Sequence, residues 1–216
     1  MQAMKNIILF RMALIGVSLF IVASILGGFQ FEKYSVFSML ISETMAIDTP
    51  YGWILRYFFY VPSGILVMLF SIFSIAKLPA SKLITIGLTG FALFYGFGTV
   101  IVGFFPCDAG CNKEFIDPSV SQIVHNTSGF LTYTLVPFFI LLTGLGIKGK
   151  SSFSNRSIIT SVLSIVFIVV LFSNPDSGYV GLVQRIIEAL FISWIIGLAY
   201  LVKKRIFENR SYTLNY

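Results

Sequence analysis

The chain has 216 residues, 56% of them apolar and 11% charged, against roughly 25% charged in an ordinary soluble domain. With 23 Phe among them and a mean hydropathy of +0.90, the surplus is bulky apolar side chain that a soluble fold of this size has no core to hide, and it also excludes disordered and disulfide-scaffold classes. The net charge of +6 raises nucleic acid as a partner, a question that the placement of the basic residues decides.

In chain order, six apolar segments approach the ~20 residues needed to cross a bilayer core: residues 7–29, 54–76, 83–105, 125–147, 157–173 and 179–202. Runs this long without alternation are helices rather than barrel strands. The predicted fold class is therefore all-α, one integral membrane domain over 1–216 built as a polytopic bundle of six transmembrane helices. The first segment carries Arg11 near its start and outruns the 7–15 residues of a signal-peptide core, so it reads as a retained helix. The fifth is short and predicts a nearly untilted span. Connections around Lys77–Ser81, 146–155 and Asn174–Gly178 are short, while those over 30–53 and 106–124 are long and polar.

The charges sort by side. Lys5, Arg11, Lys77, Lys82, Lys148, Lys150, Arg156, Lys203, Lys204, Arg205 and Arg210 share one face with Glu208, whereas Glu32, Glu43, Asp48, Asp108, Glu114, Asp117 and Asp176 lie on the other with Lys33, Lys113 and Arg56. The positive-inside rule then puts both termini in the cytoplasm of a multi-pass cell-membrane protein. The basic excess is a topology signal that meets anionic lipid, and membrane lipids are the expected partners. No basic patch interleaves with aromatics, so nucleic acid is not. The oligomeric state is left unassigned.

Cys107 and Cys111 fall in the long connection after the third segment. With one His in the chain no zinc set is available, and on an extracytoplasmic loop such a pair is expected as a disulfide whose tight ring Gly110 allows. No metal and no cofactor is expected, since HExxH, GxSxG, Walker A and full GxGxxG patterns are absent.

Polar residues within the spans carry the remaining information. Gly181, Gln184, Arg185 and Glu188 share one face of the last segment, with Glu188 roughly 13 Å below the surface. Ser121, His125, Ser128 and Thr132 line the fourth, Arg56, Tyr60 and Ser63 the second, and Tyr95 and Thr99 the third. All fall in the outer half, and no comparable stripe is read in the cytoplasmic half. A charge at mid-bilayer costs about 2.5–3.5 kcal/mol on insertion scales, so it faces protein or water. One reading is structural: Arg185 and Glu188 neutralise each other, and His125 and Arg56 anchor at the interface. The other is a cavity open to the outside, floored by Arg185 and Glu188, rimmed by Arg56, His125, Asp108 and the first outer loop with Glu43, with Gly181 leaving room for what enters.

Ile41-Ser42-Glu43, Phe105-Pro106-Cys107-Asp108, His125 and Gly181-Leu182-Val183-Gln184-Arg185 together resemble the DUF998 family of bacterial and archaeal membrane proteins of unknown function. The resemblance implies about six membrane helices and brings no reaction. A remoter fold-level likeness is to Frag1/DRAM/Sfk1-type membrane proteins, some of which are linked to lipid handling. The leading functional reading is a binding or handling protein for a lipid or other amphiphile, with Arg56 and Arg185 meeting an anionic group. The alternatives are a membrane-embedded enzyme with His125 as acid or base, oriented by Glu43, Asp108 or Glu188, and a small proton- or ion-coupled transporter using Glu188.

Overall fold

The structure, a computed structural model, describes the backbone of residues 2–149 and 151–213 and the side chains of 6–149 and 151–204. Lys5, Lys150, Arg205, Glu208 and Arg210 of the charge pattern lie outside the described side chains. Six helices are long and apolar enough to cross a membrane, and no strand occurs among the described residues. They are α1 (Gln2–Leu26, prolonged by a 3-10 turn Gly27–Gln30), α2 (Gly52–Ile75), α3 (Lys82–Phe104), α4 (Val120–Ile147), α5 (Phe153–Ser173) and α6 (Val180–Thr213, of which Val180–Lys204 is the apolar span).

Short connections make consecutive helices antiparallel neighbours, and each helix packs on the next, with α6 returning to α1. The six therefore form a closed ring. At the end holding Asn6, the ring is fastened by the Asn6 side-chain amide donating to the Val202 carbonyl at 3.3 Å. Large rings fill this half of the centre: Phe91 stands 4.8 Å from Trp194 and Tyr95 5.6 Å from Phe191, centroid to centroid, with Ile187, Ile195 and Leu198 wholly buried around them.

Besides α1, which starts at Gln2 rather than at 7, two helices begin well before their hydropathy predicts. α4 starts at Val120 rather than at 125, because the Ser119 hydroxyl accepts from the Gln122 amide (3.0 Å) and caps it. That start places His125 about 7.5 Å into the helix. α5 starts at Phe153 rather than at 157, giving 21 residues and a full-length span instead of the short one expected. Its polar first turns are hidden by packing. Ser154, Ser157, Thr160, Ser161 and Ser164 are all buried, and the Ser157 hydroxyl accepts from the Trp194 indole N–H at 2.9 Å. This stripe lies in the half where the sequence showed none. Small side chains let α4 and α6 approach α5 closely, so hydropathy alone undercounts the helix.

Two segments depart from α geometry. Over Arg56–Tyr60 in α2 and Ala92–Phe97 in α3 the turn widens to the π form, which adds a residue to the turn and re-aims the side chains after it. Tyr60 and Tyr95, one from each segment, are nearly fully buried.

Candidate functional site

The connection between α1 and α2 is folded into the mouth of the ring opposite the Asn6 end. A buried loop must find partners for its peptide groups, and here, besides Gln30 at the end of α1, which donates to the Thr44 carbonyl (2.6 Å), three side chains from α2 and α6 supply them. Arg56 Nη1 donates to the Met45 carbonyl at 2.6 Å. Gln184 Oε1 accepts from the Ile41 amide at 2.7 Å. Arg185 Nη1 donates to the carbonyls of Met39 (2.7 Å), Val36 (3.1 Å) and Gly181 (2.9 Å), and its Nη2 donates to the Tyr34 hydroxyl. Burial pushes the Tyr34 phenol above its ordinary range, with Arg185 acting against it. A Cβ at Gly181 would lie 2.2 Å from the Met39 carbonyl oxygen, so the space its missing side chain leaves is filled by loop backbone, not by a ligand.

A second loop braces the first. Cys107 and Cys111 form a disulfide with Cα atoms 4.8 Å apart, and Gly110 between them takes φ +58°, a left-handed conformation natural to glycine. The Cys107 carbonyl accepts from the Ile47 amide (3.0 Å), and Lys113 Nζ pairs with Glu43 Oε1 at 2.9 Å. Fully buried Gln122 accepts from the Asp108 amide (2.7 Å) and donates to the Cys111 carbonyl (3.2 Å). The Asp108 carboxylate accepts from the Ser119 hydroxyl (2.5 Å) and amide (3.0 Å), and these bonds hold it below the usual carboxylate range.

Beneath this double roof lies a cavity of about 490 Å³. Leu40, Ile41, Ser42 and Met45 close it above, and Tyr60, Tyr95, His125, Thr132, Tyr133, Gln184 and Glu188 line its walls. The lining continues to Phe130 and Phe172, whose rings stand 5.6 Å apart on α4 and α5 and are 55% and 46% exposed on the outside of the ring. Glu188 is the deepest charge. Its Oε1 accepts from the Tyr133 hydroxyl (2.8 Å) and its Oε2 from that of Tyr95 (3.0 Å); Gln184 Nε2 donates to the Tyr133 oxygen (3.0 Å). His125 Nδ1 is 2.9 Å from the Phe105 carbonyl. A carbonyl only accepts, so Nδ1 carries the proton.

Of the residues singled out in the sequence, the cavity thus gathers Tyr60, Tyr95, Thr99, His125, Thr132, Gln184 and Glu188. Glu43 sits in the roof, Asp108 holds the α4 cap Ser119 outside the cavity, and Arg56 and Arg185 hold the roof from its flanks. Arg185 and Glu188 make no pair. Three positions are roughly 60° apart around a helix, and the long guanidinium reaches up to the loop while the shorter carboxylate stays level with the tyrosines. Tyr133 is the wall residue that the sequence stripes omit. The spacing of 125, 129, 132 and 133 on one helical face was the available signal. Among the described residues, no three His, Cys, Asp or Glu side chains group as metal ligands.

The family model described as a protein of unknown function, DUF998, matches residues 14–201. The chain belongs to the DUF998 family. No curated protein and no solved structure is significantly similar to it, and the remoter likeness to Frag1/DRAM/Sfk1-type proteins finds no support in these comparisons. Membership and the six apolar helices agree on a multi-pass integral membrane protein. The DUF998 match spans the roof, the disulfide loop, the cavity walls and both arginine anchors.

Proposed function

We propose that this DUF998 protein binds an amphiphile, a membrane lipid or a molecule of similar build, with its polar head in the cavity and its chain leaving between α4 and α5. One observation carries the reading: a cavity of about 490 Å³ has hydroxyl, amide, imidazole and carboxylate groups on its inner wall and ends at exposed Phe130 and Phe172. A pocket polar at one end and open to apolar surface at the other matches a molecule with those two ends. The packed rings of Phe91, Phe191 and Trp194 below Glu188 support holding a ligand over passing it through.

Gly129 lines the cavity, and a Cβ there would meet nothing within 4 Å, so a larger side chain occupies the space without disturbing backbone. Native mass spectrometry of gently solubilised protein is expected to show a retained lipid in the wild type and little in Gly129→Phe, at similar melting temperatures. A wild type free of lipid, or equal retention by the variant, would overturn the reading.

A further inference from the structure

We infer that the head group received by the cavity is an ammonium rather than an anion, with the Glu188 carboxylate as its counter-charge. The inference rests on the amphiphile reading and specifies its ligand.

Glu188 is 7% exposed and lines the cavity. Each of its oxygens has a tyrosine hydroxyl at hydrogen-bond distance, and an ionised carboxylate offers about four acceptor sites. Two remain. Among the described residues no Lys, Arg or His nitrogen lies within 4.0 Å of it; the ion pair found there joins Lys113 to Glu43 instead. A carboxylate buried at that depth without a cationic partner is costly, and a cation arriving through the cavity removes the cost.

The remaining electrostatics agree. The cavity lining carries the carboxylates of Glu188 and Asp176 against one lysine, Lys113, whose charge is already met by Glu43. Arg56 and Arg185, the two cations suited to an anionic head, are committed to roof carbonyls and are absent from the lining.

Such a head belongs to an aminophospholipid such as phosphatidylethanolamine or to a free long-chain amine, and the probes separate the two. Full-length protein at neutral pH would be titrated with dodecylamine, dodecanol and dodecyl phosphate, and separately purified from nanodiscs of mixed phosphatidylethanolamine and phosphatidylglycerol. Dodecylamine is expected to bind the wild type at least about tenfold more tightly than the other two. Glu188→Gln should cost it roughly tenfold to a hundredfold, the worth of a hydrogen bond to a charged group, and should cost dodecanol clearly less. Enrichment of phosphatidylethanolamine identifies the lipid source, and amine binding without that enrichment identifies a free amine. Dodecanol or dodecyl phosphate binding the wild type as tightly as the amine would overturn the ammonium and leave the amphiphile reading standing. That ranking holds even if Glu188→Gln fails to fold. A folded variant with unchanged amine affinity would overturn the inference too, and failure of all three probes to bind would overturn both readings.

Discussion

The Arg185 guanidinium is surrounded by acceptors from three places: the roof carbonyls of Val36 and Met39, the Gly181 carbonyl of its own helix, and the Tyr34 hydroxyl. A planar fork serves several acceptors in fixed directions, which a lysine's single ammonium does not. Arg185→Lys is expected to free at least one such bond, worth about 1.5–3 kcal/mol, and hydrogen exchange over residues 34–41 should quicken while the helices stay protected. Unchanged exchange there would deny the anchor. Asp108 gives a pH dependence of known sign. Its carboxylate is held below the usual range by Ser119, so its contribution is complete above the ordinary aspartate pKa of about 3.9 and fades as pH falls through the lower folded value. Protection of amides 107–119, taken relative to the intrinsic exchange rate at each pH, should fall on acidification in the wild type, and Asp108→Asn should show that loosening already at neutral pH. Neither role is legible in the sequence, because a loop has no periodicity to say which carbonyls it turns toward a helix. Glu188 is legible: at its depth in an apolar run a charge has few places to go.

At the scale of helices, close approach is set by glycines that face one another. A Cβ on Gly64 of α2 would come 2.6 Å from the Gly96 carbonyl oxygen of α3 and 3.0 Å from the Val100 amide nitrogen, and backbone atoms in a helix cannot move aside. Gly64→Ala is expected to destabilise the protein by about 1–3 kcal/mol, the usual cost of overpacking, seen as a lower melting temperature in detergent; an unchanged melt would mean the two helices part freely. The spans themselves are plain in the sequence because each is a long apolar run. The beginnings of α4 and α5 are not, since Ser121, Gln122 and Ser157 are polar by composition and bonded to partners elsewhere in the chain, and Ser154 is polar yet buried by packing. The widened turns at Arg56–Tyr60 and Ala92–Phe97 leave no mark on hydropathy at all, yet they carry Tyr60 and Tyr95 to the cavity.

For the whole molecule, the charge pattern predicts an orientation. Reporters fused after Lys77, Lys148 and Lys204 are expected to read cytoplasmic, and those near Thr49 and Lys113 external; an external signal at Lys148 would refute the assignment. The closed ring has a further consequence for how the protein is made. α6 leaves the ribosome after the other five, yet it closes the ring onto α1 and α5, supplies Glu188 to Tyr95 and Tyr133, and brings Trp194 to Ser157. Until it inserts, five helices stand in the bilayer with phenol and serine hydroxyls turned toward an open seam. The nascent protein is thus a client for membrane chaperones and proteases until its sixth helix inserts, and a chain stopped after Ser173 should be cleared in a pulse-chase far faster than one that includes α6.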